Sequence, residues 1–214
     1  MSVRAEQKMK TRQSILDAAL KILNEDRGLT SLSLREVAKE AGIAPTSFYR
    51  HFQSLEEVGL ILVQEAGEAL HVILQDAKNA PIHTEEDIVR SVVEMTMEHF
   101  RTHGPLFRVL AREVTGGSKI LRRAIKKELQ IINQEMAELI ELESRLNHRI
   151  ITDANMVAEA ISTLVFYMGV STIDMSYAMR KVAEQKLIHH IRAIYIGAET
   201  MARTEHMARQ LMLS

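Results

Sequence analysis

The chain has 214 residues, 46% of them hydrophobic and 26% charged, the profile of a folded protein with material for one large or two small domains. It contains no cysteine, which excludes disulfides and thiolate chemistry and suits a reducing cytoplasmic location. The opening MSVRAEQKMKTRQ is charged from Arg4 and has no apolar leader core, and no run of 18 apolar residues follows, so neither secretion by that route nor a membrane partner is expected. The net charge of -1 hides an asymmetry: residues 1–52 hold nine Lys/Arg against six Asp/Glu, a net of +3, and the remainder holds 18 against 22, a net of -4. A basic head on an acidic body predicts that the head alone meets a polyanion.

With three prolines and nine glycines and apolar residues recurring at three- and four-residue spacing, the expected fold is all-α. Helix 1 is read from about Gln7 to Asn24, with Ile15, Ala19, Ile22 and Leu23 facing inward. Ser33 to Glu36 form a capping box that opens a short second helix, its stripe Leu34, Val37, Ala38 and Ala41. Gly42 supplies the turn, and Pro45 starts a third helix where its missing N–H costs nothing. Ser54 and Glu57 form a second capping box, opening a helix to about Asn79. Further helices are read at 84–102, 105–114, 118–146, 152–175 and 178–208, with breaks at Pro81, Gly104-Pro105, Gly116-Gly117, Asn147 and Ser176.

The stretch AGIAPTSFYRHF, residues 41–52, crowds three aromatics into five residues of a chain that is only 4% aromatic. Helix, Gly-containing turn and short helix is the plan of a helix-turn-helix, whose second helix enters the major groove. Phe48 and Phe52, four apart, anchor a helix too short to stand alone, and the hydroxyl, phenol, guanidinium and imidazole groups of residues 46–51 are left for DNA. No nucleophile elbow, zinc-protease motif or phosphate-cradling loop occurs, so an enzyme is not expected. His99 and His103, four apart, lack an evident third ligand, so no metal or cofactor is expected.

An N-terminal three-helix head with TRQSILDAALKIL, LSLREVAKEAG and the closing FYRHF resembles the TetR family of bacterial transcriptional repressors. VRAEQKMKTRQSIL, SLSLREVAKEAGIAPTSFYRHF and FRVLAREVTGGS further resemble the FabR/DesT regulators of unsaturated fatty-acid synthesis within it. The resemblance implies a helix-turn-helix DNA-binding domain over 1–53 and a helical ligand-binding and dimerisation domain over 54–214. It implies that Arg35, Thr46, Ser47 and Arg50 face bases, that Ser33, Tyr49 and His51 hold phosphates, and that Arg4, Lys8 and Arg12 supplement them. Many relatives carry a Lys just after the recognition helix; here Leu55, Glu56 and Glu57 follow Ser54, and the helix N-terminus is expected to serve instead.

Two heads one turn of DNA apart require a homodimer on a palindromic double-stranded operator. The helix at 152–175 is apolar on two sides, and the expected partner face is Ser162, Phe166, Gly169 and Ile173, joined by Leu187, Ile191, Ile194 and Ala198 from the last helix; a buried central helix of a monomer is the alternative. Met97, Phe100, Phe107, Leu110 and Val114, with Val165 and Met168, form an apolar set that reads either as core or as the lining of a cavity for a small hydrophobic effector. The resemblance implies the latter, with a long-chain acyl-CoA or acyl-carrier protein as effector. A repressor of another operon, such as an efflux operon sensing a different hydrophobic molecule, and a ligand-independent DNA-bridging protein stay open.

Overall fold

The computed structural model describes residues 3–24, 27–79, 85–151 and 153–213. Its described residues are helical, in the order α1 (Val3–Leu23), a 3₁₀ turn (Leu29–Ser31), α2 (Leu34–Glu40), α3 (Pro45–Phe48), α4 (Leu55–Asn79), α5 (Glu85–Thr102), α6 (Gly104–Glu113), α7 (Lys119–Leu146), α8 (Ala154–Thr172) and α9 (Tyr177–Leu213). The expected break at Pro81 lies outside the described residues. Helix α1 starts four residues earlier than the apolar stripe indicates, because Arg4 to Lys8 are adequate helix formers with no breaker among them, and a polar first turn leaves no periodic mark.

Contacts divide the chain into two compact units, residues 1–68 with 103–128 and residues 69–102 with 129–214. The first therefore holds more than the expected head: α6 and the opening turns of α7 share its core. Ile15, Leu16 and Leu23 of α1, Val37 and Ala38 of α2, Phe48 and Phe52 around α3, Val58 of α4, Phe107 and Leu110 of α6, and Leu121 of α7 are all buried there. Gly59 lets α4 and α7 close on each other, since a Cβ at this position would stand 2.9 Å from the Leu121 side chain. The unit carries sixteen Lys/Arg against twelve Asp/Glu, a net of +4, and the second unit eleven against sixteen, a net of -5.

The second unit is a bundle of α5, α8, α9 and the adjoining halves of α4 and α7. Leu74, Val93, Met97, Ile140, Val157, Ala158, Ile161, Leu187, Ile191 and Tyr195 fill its core. Polar pairs tie α4 to α7, a half-buried one from His71 Nδ1 to Glu135 at 2.9 Å and an exposed one from Lys78 Nζ to Glu138 at 2.7 Å. Among the described residues α8 alone is long and apolar enough to cross a bilayer; it packs instead on α5 and α9. Removing those buried aliphatic side chains from water stabilises the bundle by about 1.5–3 kcal/mol each.

Candidate nucleic-acid interface and apolar cavity

The local chemistry around α2 and α3 follows the caps. Glu36 accepts the Ser33 N–H at 3.2 Å, and Arg27 donates to both carboxylate oxygens of Glu36 at 3.2 Å. The Arg27 hydrogen bond, the largest cause, holds the Glu36 carboxyl below its usual range. Gly42 takes φ 68° at the turn, in the left-handed region that suits a residue without Cβ, and the Ile43 N–H returns to the Ala38 carbonyl at 2.9 Å. The second capping box closes one residue differently from expectation. Ser54 Oγ accepts the Glu57 N–H at 3.3 Å, but the Glu57 carboxylate reaches the N–H of Gln53, at 2.6 Å, and not that of Ser54.

Helix α3 is a single turn, and its stability comes from packing. Phe48 and Phe52 are both buried, their ring centroids 5.7 Å apart, and Tyr49 meets the Phe48 ring edge-on at 5.8 Å. Arg12 of α1 lies over the Phe52 ring at 4.6 Å, a cation–π contact that fixes α1 to the end of this segment. Of the residues expected to face DNA, Arg4, Lys8, Arg35, Thr46, Tyr49 and Arg50 are exposed, and Arg12, Ser33, Ser47 and His51 are half-buried. His51 Nδ1 is buried without a hydrogen-bond partner. Burial first, then the charges of Lys8, Arg12 and Arg50, pushes its imidazole pKa below the ordinary value, so these four groups lie in one electropositive neighbourhood.

The second unit contains a cavity of about 90 Å³, several times the roughly 10–15 Å³ that admits one water. Its walls come from α4 (Leu70, Leu74), α5 (Val89, Val93, Thr96, Phe100), α7 (Ile132, Met136, Leu139, Ile140, Glu143), α8 (Ile161, Ser162, Val165, Phe166) and α9 (Ile191, Tyr195). No Lys, Arg or His is among the described lining residues. Ser162 Oγ is 2.5 Å from Asn133 Oδ1, and Asn147 Nδ2 donates to Glu143 Oε1 at 2.8 Å. A surface this apolar accepts an uncharged chain, because a charged group carried inside loses its hydration with no cation to compensate it.

Only Phe100 and Val165 of the expected effector residues line this cavity. Met97 is buried in the bundle core, Phe107 and Leu110 are buried in the first unit, Val114 is 39% exposed, and Met168 lines a groove on the outer side of α8. The expectation followed a Met/Phe cluster that is contiguous in sequence, but the α5–α6 junction divides it between the two units. The overlooked lining was signalled by ordinary aliphatic stripes, Val89, Val93, Thr96 and Phe100 on α5 and Ile132, Met136, Leu139 and Ile140 on α7, which nothing in the sequence distinguishes from core.

Most of the expected partner face is covered within the chain itself. Ser162, Gly169, Leu187, Ile191 and Ala198 are buried within this chain, Phe166 and Ile194 are half-buried against its own core or cavity, and Ile173 is half-buried. At Gly169 a Cβ would meet Phe100 ring atoms at 2.7–2.8 Å, so the glycine serves packing of α8 on α5. Phe100 also meets Phe166 at 6.1 Å. The opposite face of α8 and α9 is the uncovered one: Tyr167 is 73% and Val182 69% exposed, with Met179, Ile196 and Met201 more than half exposed. Leu164, Tyr167, Met168, Met175, Met179 and Val182 line an outer groove of about 570 Å³ on that face.

Comparison places this architecture among known regulators. Residues 15–58 match the model of bacterial regulatory proteins of the tetR family. The fold is similar to that of the fatty acid degradation regulator FadR from Bacillus halodurans, with a TM-score of 0.68 at 20% identity over 83% of this chain and 94% of that one. The transcriptional regulator FadR from Bacillus subtilis, solved with stearoyl-CoA, aligns with a TM-score of 0.67 at 17% identity over 82% and 97% of the two chains. The TetR family regulator PfmR from Thermus thermophilus aligns with 0.66 at 17% identity over 85% and 96%. The fold is thus that of TetR-family regulators, and the helix-turn-helix segment carries the family's own sequence pattern.

Proposed function

We propose that the chain is a homodimeric DNA-binding transcriptional repressor that responds to a long-chain acyl-CoA, or the equivalent acyl-carrier protein, and controls genes of unsaturated fatty-acid synthesis. The observation that carries the DNA-binding reading is the anchored α3. Phe48 and, beyond its end, Phe52 are buried, and Thr46 with the following Tyr49 and Arg50 are left exposed beside Lys8, Arg12 and His51. The net charges of +4 and -5 on the two units support the same division of labour, with the polyanion held by the first. Arg35, Thr46, Ser47 and Arg50 then read base edges, and Ser33, Tyr49 and His51 with Arg4, Lys8 and Arg12 hold phosphates.

The effector reading rests on the cavity's apolar lining without a cation: the acyl chain enters there and the charged carrier stays outside. Because about 90 Å³ is below the roughly 300–1,000 Å³ of ligand pockets, the lining side chains move apart to admit it. The stearoyl-CoA complex of the Bacillus subtilis regulator, a protein of similar fold, supports that ligand class. Dimerisation uses the exposed α8–α9 face around Tyr167, Met179 and Val182, whose apolar side chains have no cover within the chain. The test is binding to duplexes from upstream of fatty-acid synthesis and desaturase genes, with and without saturated and unsaturated acyl-CoA. Sequence-selective binding that one acyl type shifts is the expected result. Selective binding indifferent to acyl-CoA would leave a repressor of another operon or a ligand-independent bridging protein.

A further inference from the structure

The last turn of α6 ends in two ionic side chains that both face the chain between α1 and α2, within the same compact unit. Arg112 donates from Nη1 to the Leu23 carbonyl at 2.8 Å and to the Arg27 carbonyl at 3.2 Å. These are acceptors at and beyond the α1 terminus, and the Leu23 carbonyl takes the Arg27 N–H as well, at 3.3 Å. Glu113, only 1% exposed, accepts the Leu29 N–H on Oε1 at 2.7 Å, the donor that opens the 3₁₀ turn. Two adjacent residues thus hold both the carbonyl side and the amide side of one short connection.

From that connection the contacts continue into the helix-turn-helix. The Arg27 whose carbonyl Arg112 holds turns its own guanidinium to Glu36 of α2 and to the Ser31 carbonyl, the latter at 2.6 Å. The surroundings are shaped for the carboxylate. A Cβ on Gly28 would lie 3.2 Å from Glu113 Oε1, and one on Gly116 would lie 2.5 Å from Oε2 and 3.0 Å from the Glu113 Cα. Oε2 itself is buried with no hydrogen-bond partner. A carboxylate so enclosed costs desolvation free energy that one backbone bond only partly offsets, while the buried Leu29 N–H requires an acceptor at this position.

We propose that Glu113, assisted by Arg112, is a positioning residue for sequence recognition: it pins the backbone at residues 27–29, and through Arg27 sets the orientation of α2 and the recognition helix. The inference rests on the DNA-binding reading above. It concerns discrimination between sequences, because misorienting α2 and α3 spoils base contacts, while flexible phosphate contacts persist.

The test uses the full chain and a duplex that the wild-type protein selects from a random-sequence library, with a scrambled duplex as control. Glu113→Ala is expected to weaken the selected duplex by about tenfold or more, the fold-change equivalent of one hydrogen bond to a charged group. Scrambled-duplex affinity stays at the wild-type value, and the Leu29 amide exchanges its hydrogen faster. Glu113→Gln, whose amide oxygen still accepts that N–H without the charge, falls between. If Glu113→Ala does not fold, Gly116→Ala displaces the carboxylate while keeping its charge and is expected to act in the same direction. Faster Leu29 exchange with unchanged selectivity overturns the positioning role alone. A wild-type protein that selects no sequence overturns the DNA-binding reading, and the role with it.

Discussion

Replacing Gly169 by leucine asks whether that face of α8 is inside the subunit or at its surface. A Cβ at 169 would already stand 2.7 Å from Cδ1 and 2.8 Å from Cε1 and Cγ of Phe100, well inside van der Waals contact, and the rest of the leucine has nowhere to go. Phe100 is 1% exposed and braced by Phe166, so it can retreat only towards the cavity that it lines. Overpacking of this kind costs about 3 kcal/mol at the upper end of its usual range, and exchanging Gly for a good helix former returns about 0.8 kcal/mol. The net loss of about 2 kcal/mol corresponds to a fall in Tm of roughly 4–8 °C for a chain of this size. Thermal unfolding by circular dichroism, with sedimentation to follow the oligomer, measures both consequences. Phe100→Ala combined with Gly169→Leu should lose less than the two single changes together, with a coupling of at least about 1 kcal/mol, because the leucine then fills space that the ring vacates. A Gly169→Leu protein with wild-type Tm that had become monomeric would refute this packing and put α8's glycine face at the subunit boundary.

Four further outcomes follow from the same geometry. Arg50→Ala should lower affinity for the operator selectively, by about 1–3 kcal/mol. Lys8→Ala should weaken binding to all duplexes and reduce the salt slope by about one, as titrations at several salt concentrations would reveal. In the free protein burial and the neighbouring cations keep the His51 pKa below its ordinary value, and a bound phosphate raises it, so binding takes up a proton. Affinity should therefore fall as pH rises from the free-protein pKa to the DNA-bound one, by up to about tenfold per pH unit, and His51→Gln should flatten that dependence in anisotropy titrations across the window. Val182→Glu puts a charge on the uncovered α8–α9 face and should raise the dimer dissociation constant in sedimentation while leaving secondary structure intact; an unchanged dimer would place the interface elsewhere.

The helices, the first capping box and the helix-turn-helix segment are local matters, and the sequence by itself determined them. Gly42 and Pro45 punctuate the turn by their own backbone chemistry. Phe48 and Phe52 fall on one side because four residues make about one helical turn; α3 ends at Phe48, but the Phe52 N–H still returns to the Phe48 carbonyl at 3.1 Å, and both rings are buried. The exposed side chains of the short helix are the remainder once that face is assigned. Which apolar residues enclose space, which fill it and which await a partner were decided only by the tertiary structure. Gly169 and Leu187 read as partner-facing because α8 and α9 are apolar on more than one side, but α5, with Phe100, takes the Gly169 side for the chain's own core. Phe107 and Phe100 sit seven residues apart and went to different units because a junction at His103–Gly104 separates α5 from α6. The bond from Glu113 to the Leu29 amide spans 84 residues, and no periodicity marks it. Hydrophobic burial is non-directional, so a stripe of leucines, isoleucines and valines states that a face is covered; only the packed arrangement of the helices states by what.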